Sequence, residues 1–209
     1  MPEFAAMSLA EFVDQAASGA PVPGGGGIAA LAGALGASMA SMAANFTIGK
    51  PKFAEHDALM RETLDALKPL TASLLAAVDG DATAFSGIAA AYKLPKNSDA
   101  EKAELKAAID AALTASMRVP FGMAKNCLAA AELLPKLAEA GNPNLLSDVV
   151  VAAIMLEAAA EAALVNILVN SKSLATPEAR LAEEEGKNAV ERIRELAEQT
   201  KKIVAERAG

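Results

Sequence analysis

The chain has 209 residues, a net charge of −7 and 53% hydrophobic residues, of which alanine is the commonest and aromatics supply only 3% of the chain. So few aromatic side chains argue against a β-sandwich, the acidic balance argues against a nucleic-acid surface, and one cysteine (Cys127) with one histidine (His56) excludes a disulfide framework or a metal site of paired Cys or His. An alanine-rich chain of this length buries a core by packing helices closely. The expected fold is therefore all-α, with residues 1–209 as a single domain.

In chain order, Ser8 and Glu11 have the spacing of a capping box, and Gly19 stands where the first short helix should stop. Pro21-Val22-Pro23 then leads into Gly24, Gly25, Gly26 and Gly27 and a charge-free run of small residues to Gly49. The prolines impose an extended approach. The glycines allow either close helix packing or a helix start whose bare N–H groups seat an anion or a carbonyl oxygen. A buried helix is expected over 26–48, ended by Gly49 and Pro51. A second runs over 55–92, kinked or broken at Pro69. Ser98 and Glu101 form another capping box, opening a helix to about Met117, and Pro120 starts or kinks the next. Pro135 interrupts that helix before Gly141-Asn142-Pro143. Asn144 or Ser147 is expected to cap a second buried helix, reaching about Leu174. Thr176 is the expected cap of a final amphipathic helix with Leu181, Val190, Ile193, Ala197 and Val204 on its stripe.

The run 24–49 is long enough to cross a bilayer. It lacks aromatic anchors and basic flanks, however, and the similarly apolar stretch 149–170 carries Glu157 and Glu161. Both are read as central helices of a soluble bundle, apolar all round because they are buried on every side. No basic segment leads an apolar core at the N-terminus, so the expected location is cytoplasmic.

Few polar residues are placed for chemistry. Asp79 and Asp81 are about 200° apart on one helix. Asp81, one turn before Phe85, is the one expected to point inward. A carboxylate against apolar walls has a raised pKa and suits acid–base work; the alternative is a solvated or capping aspartate. Lys50 either complements a helix C-terminus or serves a ligand. Asn142, Ser147 and Asp148 sit in a dense polar turn that ordinary capping would also explain. Asn166 and Asn170 lie one turn apart. Asp148 and Asn166, five turns apart on one helix, are separated by about 27 Å and cannot share a site unless symmetry brings a neighbour's end close. Glu157 and Glu161 lack the Glu-x-x-His partners of a carboxylate metal site. Cys127 reads as a core residue.

Taken together, PVPGGGGIAALAGALGASMASMAANFTIGK, the DATAF segment holding Asp81 and Phe85, AYKLPKNS at 91–98, Val119-Pro120, Gly141-Asn142, Ser147-Asp148, and Asn166 with Asn170 resemble the formiminotransferase-cyclodeaminase C-terminal family, in order, from Leu9 to Asn170. The resemblance implies an orthogonal helical bundle with two buried Ala/Gly-rich central helices, a homodimer, and a folate substrate with no further cofactor and no metal. Two reactions are implied at the carbon bridging N5 and N10 of tetrahydrofolate: hydrolysis of 5,10-methenyltetrahydrofolate to 10-formyltetrahydrofolate, and ammonia-releasing cyclisation of formiminotetrahydrofolate. It implies Asp81 as general acid/base and Lys50 as the cation, with Gly24 to Gly27, Thr47, Asn142, Ser147 and Asp148 binding substrate. Many bifunctional members carry serine at the position of Gly27, and on this ground the cyclohydrolase direction is preferred. Lys50-Pro51-Lys52 departs from the more usual basic run. A non-catalytic folate-binding or scaffold dimer is the alternative of another class.

Overall fold

Capping chemistry sets where the helices begin. In the computed structural model, which describes residues 3–208, both capping boxes close: the Ser8 and Ser98 hydroxyls accept from the N–H groups of Glu11 and Glu101, whose carboxylates accept from the two serine N–H groups in return. The described residues form α1 (Leu9–Ala17), α2 (Gly25–Asn45), α3 (Asp57–Ala91), α4 (Asp99–Ala131), α5 (Leu134–Ala140), α6 (Leu146–Ser171) and α7 (Pro177–Ala208), with no strand among them. Short 3₁₀ turns occupy Phe4–Ala6, Pro51–His56 and Pro143–Leu145. Thr176 caps α7 as expected, its hydroxyl accepting from Ala179 N–H at 3.1 Å.

The end of α4 differs from expectation: the helix does not stop near Met117 but runs on through Pro120 to Ala131. α3 is likewise one helix through Pro69, so it is not broken there. An internal proline removes one helical hydrogen bond, and these long helices keep the packing on either side of it. Neither Asn144 nor Ser147 caps α6. The Asn142 side chain instead caps the preceding 3₁₀ turn, accepting from Asn144 N–H at 3.1 Å, and α6 starts at Leu146 with no side-chain cap.

α2 and α6 are the antiparallel centre of the bundle, and they approach closely because α2 presents glycine to α6. A Cβ on Gly36 would lie 3.1 Å from Leu156 Cγ and 3.2 Å from the Ala152 carbonyl oxygen. One turn earlier, Gly33 meets Ala159, Leu74 and Cys127. α3 covers a second side of α2, while α4 and α7 cover α6. The central helices are not buried on every side, contrary to expectation. α2 leaves Ile28, Leu35 and Phe46 exposed in one stripe, and α6 leaves Val151, Ile154, Val165 and Val169 exposed in another, with Val169 at 67%. On α7 the buried stripe is Ala182, Val190, Ile193, Leu196 and Ala197; Leu181, expected on it, is 52% exposed. Glu157 and Glu161 both ion-pair with Arg194 of α7. Cys127 is fully buried, and that burial pushes its thiol up to about 12, so it packs as a small apolar group.

The α2–α6 contact carries a direct test. Gly36→Val should overpack it and cost about 1–3 kcal/mol, read as a lowered urea midpoint. Gly122→Ala, at a mid-helix position on α4 with nothing within 4 Å of the added Cβ, should be neutral or stabilising by up to about 1 kcal/mol.

Candidate functional site

The start of α2 has no cap of its own. Gly24 occupies the N-cap position and offers no side-chain acceptor, so the first N–H groups, at the positive end of the helix dipole, need an acceptor from elsewhere. The missing acceptor comes from another helix. Asp81 of α3 projects into the bundle and its Oδ2 accepts from Gly27 N–H at 3.1 Å. The fit depends on Gly26: a Cβ there would stand 2.1 Å from Asp81 Oδ1 and 2.4 Å from its Cγ. Gly27 is less constrained, since a Cβ on it would meet Pro23 Cβ at 3.4 Å and the Val78 carbonyl oxygen at 3.7 Å, ordinary contact distances. The segment leading into α2, expected to be extended, bends instead over residues 18–21 and carries a cis Val22–Pro23 bond; Gln15 holds it, its Nε2 donating to the Val22 carbonyl at 3.2 Å.

Two opposed effects act on the Asp81 carboxyl. Loss of solvent raises its pKa and the Gly27 N–H lowers it; burial prevails, and the group sits above the ordinary carboxylate value. It is a half-buried acid pinned at a helix N-terminus, able to hold and release a proton at higher pH than a solvated aspartate. On the other flank of the same helix start, Asn166 of α6 lies against Gly25, its Nδ2 3.8 Å from where a Cβ would be. That nitrogen donates to the Ala162 carbonyl. One turn on, Asn170 Nδ2 reaches Ser116 Oγ at 3.4 Å. Asp79 was expected to be solvated. It is instead partly buried, and its Oδ1 accepts from Phe4 N–H at 2.6 Å, tying the N-terminal turn to α3.

The remaining residues singled out in the sequence lie elsewhere. α2 is 21 residues long, about 30 Å, and Thr47, Lys50, Asn142, Ser147 and Asp148 are all at its far end. Lys50 is exposed on the rim of a cavity of about 350 Å³ that Lys52, Phe53, Asn142 and Asn144 also line. Thr47 is expected to touch a ligand, but it is fully buried: its hydroxyl donates to the Ala43 carbonyl and accepts from Asn142 N–H, both at 2.9 Å. Its work is to hold the Asn142 turn against the end of α2, and Asn142 Nδ2 adds a bond to the Phe46 carbonyl at 3.2 Å. Arg207 of α7, missed in the sequence, fastens the same turn by donating to the carbonyls of Ala138 and Gly141. Nothing in the spacing of α7 signals that contact, because it joins residues 66 positions apart. The chain thus presents two groups, an acid at the glycine start of α2 and a lysine with an asparagine turn at its other end.

Against known proteins, residues 8–189 match the family model described as formiminotransferase-cyclodeaminase. The chain is 41% identical over 182 residues to a methenyltetrahydrofolate cyclohydrolase of Methylorubrum extorquens, a match spanning 86% of this chain and 88% of that protein. It is 36% identical over 167 residues to the formimidoyltransferase-cyclodeaminase of Rattus norvegicus, there covering 80% of this chain but 31% of the longer relative. Among solved structures, formiminotetrahydrofolate cyclodeaminase from Thermotoga maritima superposes with a TM-score of 0.84 at 30% identity, over 96% of this chain and 97% of that one.

The raised Asp81 pKa has a consequence for stability. Folding favours the protonated carboxyl, so the ionised form costs stability at neutral pH, and that cost fades as pH falls through the folded value toward the ordinary value of about 3.9. Asp81→Asn, whose amide oxygen can still accept from Gly27, should melt higher than the wild type at pH 7. The gap should narrow on acidification in differential scanning calorimetry. A gap that widened in acid would reverse the assignment.

Proposed function

The chain belongs to the formiminotransferase-cyclodeaminase family, and from that membership we propose that it hydrolyses 5,10-methenyltetrahydrofolate to 10-formyltetrahydrofolate. The observation that carries the site is the Asp81 carboxyl seated on the uncapped start of α2. The direction is supported by the 41% identity to a cyclohydrolase along 88% of that relative's length.

In this reaction Asp81 accepts a proton from water as its oxygen bonds to the amidinium carbon. The tetrahedral adduct then collapses: the C–N5 bond breaks, N5 takes the proton from Asp81, and the adduct hydroxyl loses its own proton as the formyl C=O forms on N10. One proton is released overall. A carboxyl of raised pKa suits both transfers near neutral pH, and the N–H groups of Gly25 and Gly26, for which no acceptor is found among the described residues, would supply donors for oxygen on the adduct. The chemistry as written is acid–base throughout and calls on no metal or redox cofactor.

Lys50, the expected cation, is about 30 Å from Asp81 along α2, so a second copy is needed if both serve one centre. The bare stripes of α2 and α6, two helices packed against each other, supply exposed apolar surface suited to self-association. A twofold axis lying in that face and across the helices would pair α2 antiparallel with its counterpart. Each Asp81 end would then meet the partner's end carrying Lys50 and Asn142. We therefore read the protein as a cytoplasmic homodimer whose apolar stripes meet each other rather than lipid. Three helical stretches are long and apolar enough to span a membrane by composition alone, and a charge placed in the stripe separates self-association from burial in lipid. Leu35→Arg, in the centre of the stripe, should yield a folded, soluble monomer by light scattering, with turnover reduced at least tenfold.

The formimino reaction is the second reading, supported by the Rattus norvegicus and Thermotoga maritima proteins. Offering 5,10-methenyl- and 5-formiminotetrahydrofolate in separate cuvettes decides between them. Loss of methenyl absorbance with no ammonia from the formimino compound is expected; ammonia release would overturn the preference. Binding of either folate without chemistry would mark a non-catalytic binder. Asp81→Asn should cut turnover by about 10²–10⁴-fold, the usual contribution of a general acid–base group, and full retained activity would remove Asp81 from the mechanism.

A further inference from the structure

A groove of about 780 Å³ runs between α2 and α3, walled by Met42, Phe46, Leu64 and Leu75. It lies within the size range of small-molecule sites. Most polar groups along it are already used: the hydroxyls of Ser38, Ser41 and Thr71 each donate to a carbonyl one turn back. Asp65 and Lys68 are the exception. They stand one turn apart on α3 and both line the groove, yet among the described residues neither has a hydrogen bond or ion pair. The same Asp-x-x-Lys spacing at Asp99 and Lys102 closes into a 2.9 Å pair, and Glu198 with Lys201 closes at 2.7 Å. Two opposite charges one turn apart beside apolar walls, neither spent on the other, offer a donor next to a two-oxygen acceptor.

Resting on the folate reading above, we propose that this groove is the pterin subsite and that Asp65 and Lys68 determine its specificity. The 2-amino-4-oxo edge of a pterin carries, in order, an acceptor oxygen, a ring N–H and an amino group. Asp65 accepts from the two donors with its two oxygens, and Lys68 donates to the oxo group, a charge-assisted match on all three positions. Side chains three apart on a helix are about 5–6 Å apart at Cβ, the scale of that edge. Phe46 and Leu75 supply apolar surface for the flat ring. The groove opens beside the α2 end that the antiparallel dimer would bring to the partner's Asp81, so ring recognition and one-carbon chemistry would be neighbours.

The test is competition against methenyltetrahydrofolate turnover by two fragments, a pterin and p-aminobenzoylglutamate. Asp65→Asn keeps size and shape but places a donor against a donor. It should raise KM by about tenfold or more with kcat nearly unchanged, and abolish inhibition by the pterin while p-aminobenzoylglutamate still inhibits. Lys68→Met should weaken pterin inhibition in the same selective way. Wild-type KM and wild-type pterin inhibition in both variants would overturn the proposal, as would equal loss of both fragments' inhibition. If the wild type turned over neither folate, the functional reading would fall instead. Equilibrium dialysis of the pterin would then judge the groove, binding lost in Asp65→Asn upholding it and binding unchanged overturning it.

Discussion

The helix start that Asp81 closes is the constraint around which the bundle is organised. α2 is built from glycine, alanine and serine so that it can lie close to two neighbours, and such a helix has little side-chain surface with which to cap itself. Its first N–H groups must find an acceptor or face solvent. α3 supplies one across 54 residues of sequence, and only a glycine at position 26 lets the carboxyl in. The arrangement sets two effects against each other: removal from water disfavours the charged carboxylate, while the helix dipole and the Gly27 N–H favour it. Burial prevails, which leaves a carboxyl suited to exchanging protons and a fold that carries the cost of burying it.

At the opposite end of α2 the logic is mechanical. Thr47 is spent inside the protein, bonding back to its own helix and forward to the Asn142 turn, while Arg207 grips the same turn from α7. Lys50 follows the left-handed Gly49 (φ 71°) and stays in solvent. Separating acid and cation by the length of a helix makes the bare stripes on α2 and α6 meaningful. In the proposed homodimer they are the faces that meet, and they bring the two ends together.

Much of this was legible in residues whose signals are local. The capping boxes at Ser8 and Ser98, the Thr176 cap and the break before Pro135 all depend on groups within four positions of one another. Asp81 turns inward as expected, but not because of Phe85, which is itself exposed; the buried neighbours on its helix are Val78 and Ala82. What misled were features whose outcome depends on packing: Pro120 does not break α4, Leu181 points outward, and Asp79 is engaged by Phe4 rather than by water. The fourth glycine shows the same division. Gly26 and Gly27 look alike in the sequence, but only Gly26 has a carboxylate where its Cβ would be.

By itself, the sequence determined the helical class, most helix starts, the family and the residues that could carry chemistry, because capping, helix propensity and motif order act over short range. The tertiary structure alone decided which of those residues meet. It placed Asp81 on the glycine run and sent Lys50 to the far end. It turned Thr47 from a ligand contact into a strut and left Asp65 and Lys68 unpaired over a groove. These are distances between segments far apart in the chain, and they are settled by how closely glycine and alanine let the helices approach.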